Sequence, residues 1–265
     1  MPEIEIRSTN GYEFSYDLPQ PASCESFFLF SLNKAGSRLL IKVMMEICEL
    51  CNVPFINLHG AAFKEGISGD SFTLDVLKHY SRSGYCFGVF RGVPDYFKAF
   101  DLRSNRKILL VRDPRDILVS LYFSIKKTHA MPSKGPMRAS LTRERAIAKE
   151  LDINDFVLRN IDNLKVSMDS LHLIHDDKLK LFKYEDIIFR KDDWIKEITE
   201  YLELSLSDIQ VNEIADRHNI VPSRERSDSR IRRVLPGDHL EKLTEETISI
   251  LNKELSSQLS LYGYS

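Results

Sequence analysis

Polar and apolar residues alternate over residues 3–16 on either side of Asn10-Gly11, a dipeptide suited to a type I′ turn. This predicts a peripheral hairpin. The pattern then changes. Phe27-Phe28-Leu29-Phe30 is uninterrupted, as a strand buried on both faces requires. A short Gly-containing loop leads to a helix over 37–51, with Leu40, Val43, Met44 and Ile47 on its apolar face. Strands are predicted over 53–58, 85–90 and 107–111, with a helix over 72–80 between the first two. A helix over 115–127 places Ile117, Leu118, Leu121, Tyr122 and Ile125 on one side. Residues 144–150 and 154–168 read as helices, 179–184 as a strand, and 192–203, 207–218 and 244–262 as helices.

Strands alternating with helices define an α/β fold, with a mostly parallel central sheet flanked by helices. Such sheets bind ligands beyond the carboxyl ends of their strands. The loops after Phe30, Leu58, Phe90, Val111 and Tyr184 are therefore the first places to look for chemistry. Residues 219–238 stand apart as polar, Arg-rich and weakly periodic, the mark of an irregular functional segment. At 265 residues the chain suits a single domain over 1–265, with 1–20 as the hairpin.

Charge narrows the class. Thirty-seven Lys and Arg against 39 Asp and Glu leave a net charge of −2, which argues against a general nucleic-acid partner. The start lacks the basic-then-apolar layout of a signal peptide, and no apolar run suffices for a transmembrane segment. Cys24, Cys48, Cys51 and Cys86 show no paired metal-ligand spacing. Cys48 and Cys51 fall within an apolar helical stretch and read as core thiols, which fits a cytoplasmic protein.

Two segments carry the chemistry. In the first, Phe28 to Leu40, a strand passes through a tight loop into a helix. Backbone N–H groups at a helix start bind anions, Gly36 allows close approach, Lys34 adds charge and Ser37 a hydroxyl. The lysine precedes the glycine, so this is not a Walker A loop. The plainer reading is an ordinary loop with Ser37 as helix N-cap. In the second segment, Lys107 to Ser120, a buried strand ends at Arg112. Asp113 can cap the next helix and Pro114 suits its first position. Arg112 offers a planar fork for a phosphate, and Ser120 lies two turns into the helix. The plainer reading pairs Arg112 with Asp116, but it leaves unexplained why a strand should end in Arg.

Together these segments resemble the sulfotransferases that use 3′-phosphoadenosine 5′-phosphosulfate (PAPS). The family loop P-K-S-G-T-T-W is similar to Asn33-Lys34-Ala35-Gly36-Ser37-Arg38-Leu39. The family's Arg followed eight positions later by Ser matches Arg112 and Ser120. Tyr184-Glu185-Asp186 resembles its Y-E-D, and Arg232-Arg233-Val234-Leu235-Pro236-Gly237-Asp238-His239 its R-K-G-x-x-G-D-W. The ending Leu261-Tyr262-Gly263-Tyr264 is similar to its L-G-Y. The resemblance covers roughly residues 27–264 and implies a P-loop nucleoside-triphosphate-hydrolase-like sulfotransferase fold. It implies PAPS as donor, PAP as product and no metal. By this resemblance Lys34 contacts the bridging oxygen, and Lys34, Ala35, Gly36, Ser37, Arg38 and Leu39 form the phosphosulfate loop. Arg112, Ser120, Arg232 and Arg233 bind the 3′-phosphate, and Tyr184 sits near the adenine.

The chain departs from the pattern in several places. Asn33 replaces a proline, Arg38 a threonine, Leu39 an adenine-stacking tryptophan and Val234 a glycine. The family's K-T-H-L-P reads Phe90-Arg91-Gly92-Val93-Pro94, so Gly92 stands where the proton-abstracting His belongs. His59 is favoured as the base, followed by His129 and Asp95. His79, His172, His175, His218 and His239 fall elsewhere. The missing K-T-H and the basic, loop-like 130–145 segment favour a carbohydrate hydroxyl as acceptor over a phenol. The alternatives are a nucleotide or sugar kinase on a related fold, and a non-catalytic PAP-binding protein.

Overall fold

A computed structural model describes residues 2–222, 225, 229 and 231–264. Part of the Arg-rich stretch (223, 224, 226–228 and 230) lies outside the described residues. In chain order the strands are β1 (Glu3–Arg7), β2 (Glu13–Asp17), β3 (Phe27–Ser31), β4 (Phe55–Ile56), β5 (Cys86–Arg91), β6 (Lys107–Val111) and β7 (Leu179–Lys183). The helices are α1 (Ser37–Leu50), α2 (Leu58–Lys64), α3 (Leu77–Tyr80), α4 (Pro114–Phe123), α5 (Gly135–Glu150), α6 (Ile153–Arg159) and α7 (Ile161–Asp169). They continue with α8 (Tyr184–Ile187), α9 (Lys191–Leu202), α10 (Asp208–His218), α11 (Asp238–Lys242), α12 (Glu245–Glu254) and α13 (Ser256–Leu261).

β1 and β2 pair as an antiparallel hairpin, Glu3 opposite Asp17 and Arg7 opposite Glu13. The other strands form a five-stranded sheet, ordered β4-β5-β3-β6-β7, with every neighbouring pair parallel. Both faces are covered. Phe28 and Phe30 of β3 join Phe87, Phe90 and Phe97 in one core, while Phe27 and Leu29 point the other way to Val43, Met44 and Trp194. This is why β3 reads as an unbroken apolar run. The β3–β5 register shifts between Leu29 and Phe30, so that Leu29 faces Gly88 and Phe30 faces Phe90. Val89 is the extra residue of a bulge, which sends both Phe87 and Phe90 into the same core and re-aims the strand end.

Several elements differ from expectation. The strand over 53–58 shrinks to Phe55–Ile56, because Asn57 caps a new helix: its side chain accepts from the Gly60 amide. Residues 72–80 divide into a 3₁₀ turn, Leu74–Val76, and the short α3. The helix expected over 115–127 becomes α4 followed by a π-turn, Ser124–Thr128. The 130–145 segment, read as loop-like, contains most of α5, which buries only Ala148 and so leaves no apolar stripe to detect. Helices expected over 154–168 and 244–262 each break in two, at Asn160 and Leu255.

Candidate active site

β3, β5 and β6 end side by side, so residues just beyond Ser31, Arg91 and Val111 meet at one edge of the sheet. Beyond β3, Lys34 adopts a positive φ of 69° and Gly36 one of 94°. Gly36, not Ser37, is the N-cap of α1; Ser37 is the first helical residue and is buried. No side chain caps this helix and no acidic residue lies in its first turn. The ordinary-loop reading with Ser37 as N-cap is thereby excluded. Gly36 is also sterically required: a Cβ there would lie 3.0 Å from both Leu110 Cδ2 and Tyr184 Cδ2. Ala35 is fully buried, Leu39 half-buried and Arg38 exposed.

Beyond β6, Asp113 caps α4 as expected. Its carboxylate accepts from the Arg115 amide at 2.9 Å, and Pro114 opens the helix. Arg112 is 5% exposed. One terminal nitrogen reaches the Lys34 carbonyl and the other Asp116 Oδ2, each at a long 3.4 Å. Its Nε is buried with no partner, and its guanidinium lies 4.6 Å from the Tyr184 ring centroid. Both readings of Arg112 thus hold in part: it touches Asp116, yet keeps unspent donor capacity. Ser120 is half-buried on α4, and its hydroxyl has no hydrogen-bond partner among the described residues.

Asp116 does something the sequence did not announce. It accepts from the Gly237 amide at 2.8 Å, the His239 amide at 3.0 Å and His239 Nδ1 at 2.7 Å. Burial pushes its pKa up, but His239 and Arg112 outweigh this and hold it at about 2. The carboxylate thereby clamps the C-terminal loop onto α4. Tyr184 adds a second clamp, donating from its hydroxyl to the Val234 carbonyl at 3.1 Å. These contacts bring Arg232 into the site. Arg232 is buried, pairs with Glu225 and Asp238, and lies 4.2 Å above the Phe123 ring. Arg233 turns toward Glu241 and Asp238.

The electrostatics show what these placements amount to. Burial, then Arg112, Arg91, Arg38 and Arg232, lower the Lys34 pKa to about 8. Four guanidinium groups from separate parts of the chain therefore surround one ammonium. The Lys34 and Arg91 side chains have no hydrogen-bond or ion-pair partner among the described residues. Arg91 went unnoticed in the sequence because attention fell on the missing His at its neighbour Gly92. The signal was available, since β5, like β6, runs through apolar residues and ends in Arg.

Next to Arg91 stands His59, in the first turn of α2. Its Nε2 is 2.6 Å from the Tyr96 hydroxyl, and its Nδ1 3.9 Å from Asp70 Oδ1. Burial, then Arg91, push its pKa down to about 3, so the imidazole is neutral at pH 7. His129, after the π-turn, faces Ser124 Oγ at 3.4 Å and the Phe63 ring of α2. Asp95 is 87% exposed at its side chain and pairs with Lys98 at 2.6 Å, away from the cationic cluster.

Comparison with known proteins agrees with this geometry. The family model described as "Sulfotransferase domain" matches residues 95–260, more than half of the chain. The match includes Arg112, Ser120, Tyr184 and Arg232 but not the Lys34 loop or His59. The mouse sulfotransferase SULT7A1 complexed with PAP superposes with a TM-score of 0.58 at 14% identity, over 96% of this chain and 94% of that one. A retinol dehydratase complexed with retinol and PAP gives 0.56 at 14% identity, over 97% and 90%. No curated protein matches by sequence. The chain belongs to the sulfotransferase domain family and is a PAPS-dependent sulfotransferase.

Proposed function

We propose that the pocket between the ends of β3, β5 and β6 holds PAPS and transfers its sulfuryl group to a carbohydrate hydroxyl. One observation carries this reading: Lys34 sits unpaired among Arg112, Arg91, Arg38 and Arg232. Unpaired buried cations are costly, and a multiply charged anion is the natural partner for such a cluster. The residues fit that anion. Gly36 leaves the backbone open to it, the uncapped start of α1 offers amides, and Arg112 Nε lacks an acceptor.

In this reading Lys34, Ala35, Gly36, Ser37, Arg38 and Leu39 cradle the 5′ end of the donor, while Arg112, Ser120, Arg232 and Arg233 hold the 3′-phosphate. Tyr184 supports the Gly36 turn and the Arg112 guanidinium. When bound, PAPS supplies a sulfuryl group open to in-line attack. Lys34 Nζ neutralises charge that develops at the leaving oxygen, and preorganised cations do this without rearranging. His59 takes the proton of the acceptor hydroxyl, since it is neutral at pH 7 and stands beside Arg91. His129 and Asp95 are weaker candidates because their partners lie away from Arg91.

Two features support a sugar acceptor. Gly92 leaves the family's His position empty. The N-terminal end of α5 also abuts the end of α2: the Met137 amide donates to the Gly66 carbonyl at 3.2 Å, and Lys134 pairs with Glu65 at 2.9 Å. On α5 an open hollow of about 490 Å³, lined by Gly135, Arg138, Ala139, Thr142 and Arg143, offers a cationic wall to an anionic glycan. A cytoplasmic location is proposed on the four free cysteines. No helix among the described residues is long and apolar enough to cross a membrane.

The test is transfer from radiolabelled PAPS to a panel of polysaccharide, oligosaccharide and phenolic acceptors. Sulfated sugar is expected. Lys34→Ala and Arg112→Ala should each lower turnover by about 10²- to 10³-fold with the fold intact by circular dichroism. Dominant phenol sulfation would overturn the acceptor assignment, and near-wild-type turnover in either variant the site.

A further inference from the structure

The surroundings of His59 decide which of its nitrogens serves as base, an inference that rests on the base assignment above. The imidazole is fixed by rings and backbone. Phe72 and Phe90 meet it edge-on, with centroids at 5.3 and 5.1 Å. On another side lies Gly69, where even a Cβ would come within 2.3 Å of the ring. The ring orientation is therefore set by packing, and each nitrogen has a defined neighbour. Nε2 faces the hydroxyl of Tyr96, which lies on the 3₁₀ turn after β5. Nδ1 faces Asp70, on the turn after α2. The charged neighbours are Arg91 at the end of β5 and Asp70, with Asp95 acting in turn on Asp70.

Two neutral tautomers compete. In one, Nδ1–H points to Asp70 and Nε2 accepts from Tyr96. In the other, Nε2–H donates to Tyr96 and Nδ1 presents its lone pair. The distances separate them, because 2.6 Å is a full hydrogen bond and 3.9 Å is beyond one. If Tyr96 accepts from Nε2–H, its own hydrogen needs a destination. Tyr80 supplies one: its ring stacks on that of Tyr96 at 6.2 Å, and its hydroxyl is buried with no hydrogen-bond partner.

We propose that Tyr96, backed by Tyr80, is a positioning residue that fixes His59 as the Nε2–H tautomer, and that the acceptor hydroxyl sits in the gap between Nδ1 and Asp70. In the transfer, the hydroxyl O–H bond breaks and its proton goes to Nδ1. The oxygen's electron pair forms the new bond to sulfur, and the bond from sulfur to the leaving phosphate oxygen takes its pair away with PAP. The new imidazolium then faces the Asp70 carboxylate, which offsets its charge and that of Arg91. Tyr96 touches neither donor nor acceptor; it acts only through the ring.

Nitrogen-15 NMR of the histidine side chains reads this directly, without any acceptor. In wild-type protein at pH 7 with saturating PAP, the His59 signals (assigned by their loss in His59→Gln) should show an unprotonated Nδ1 and a protonated Nε2. Tyr96→Phe should populate the Nδ1–H form, and so should Tyr80→Phe, which returns the Tyr96 hydrogen to Nε2. The dissociation constant for PAP should stay within about threefold in both. A protonated Nδ1 in the wild type, or a tautomer unmoved by both substitutions, overturns the proposal. Failure of the wild type to bind PAP would instead overturn the donor-site reading, leaving the tautomer measurement to stand alone.

Discussion

Lys34 is an ammonium surrounded by guanidinium groups, and its titration follows from that. With a pKa near 8, against 10.5 for the free side chain, it is depressed by burial and by four like charges. Between those values the unfolded chain binds the proton more strongly than the folded one. The residue therefore destabilises the free protein fully below pH 8, and that cost fades as pH rises toward 10.5. A bound polyanion reverses the field and restores the proton. PAP binding should thus take up about half a proton or more at pH 8.5 and almost none at pH 6.5, measured by calorimetry in buffers of different ionisation enthalpy. Lys34→Met should abolish the uptake, and persistence of the full uptake in that variant would contradict the account. Lys34, Arg112 and Arg232 were legible in the sequence because cations beyond buried strands, or in an irregular loop, break the surrounding pattern. Arg91 obeys the same rule and was passed over only because a family motif directed attention to Gly92. The pairing of His59 with Tyr96 was not legible, since it joins residues 37 positions apart through a turn with no periodicity.

At the level of elements, the site depends on a clamp between α4 and α11. Asp116 on α4 holds two backbone amides and the imidazole at the start of α11, and so delivers Arg232 toward Arg112. Removing the charge from a buried carboxylate with several donors leaves those donors unsatisfied. Asp116→Asn should lower unfolding free energy by about 3 kcal/mol in denaturant titration, and weaken PAP binding at least tenfold. Stability and affinity both close to wild type would show that the C-terminal loop is held by other means. The sequence suggested Asp116 only as a partner for Arg112. Its larger role is long-range, connecting residues 121 and 123 positions apart, which no local pattern encodes. α2 and α5 were missed for different reasons. α2 is short and carries Gly60. α5 buries one residue, so its Arg, Glu, Ala and Lys content favours helix without producing an amphipathic stripe. The strands β3, β5, β6 and β7 were readable because continuous apolar runs bounded by polar turns have few alternatives in an α/β chain.

Over the whole molecule, strand order explains why distant segments cooperate. β3 lies at the centre between β5 and β6, so the loops that follow all three open onto the same space. The C-terminal end is drawn to the same edge: Tyr264 donates to Glu185 at 2.8 Å, Glu185 accepts from the Asp113 amide at 2.9 Å, and Lys183 donates to the Gly263 carbonyl at 3.1 Å. Motifs near both ends of the chain thus come to frame one pocket. A crystal structure with PAP bound tests this most directly. The account predicts the 5′-phosphate against the Ser37 and Arg38 amides and Lys34 Nζ, and the 3′-phosphate within hydrogen-bonding distance of Arg112 and Arg232. PAP seated elsewhere, or with neither phosphate near Lys34 or Arg112, would contradict it.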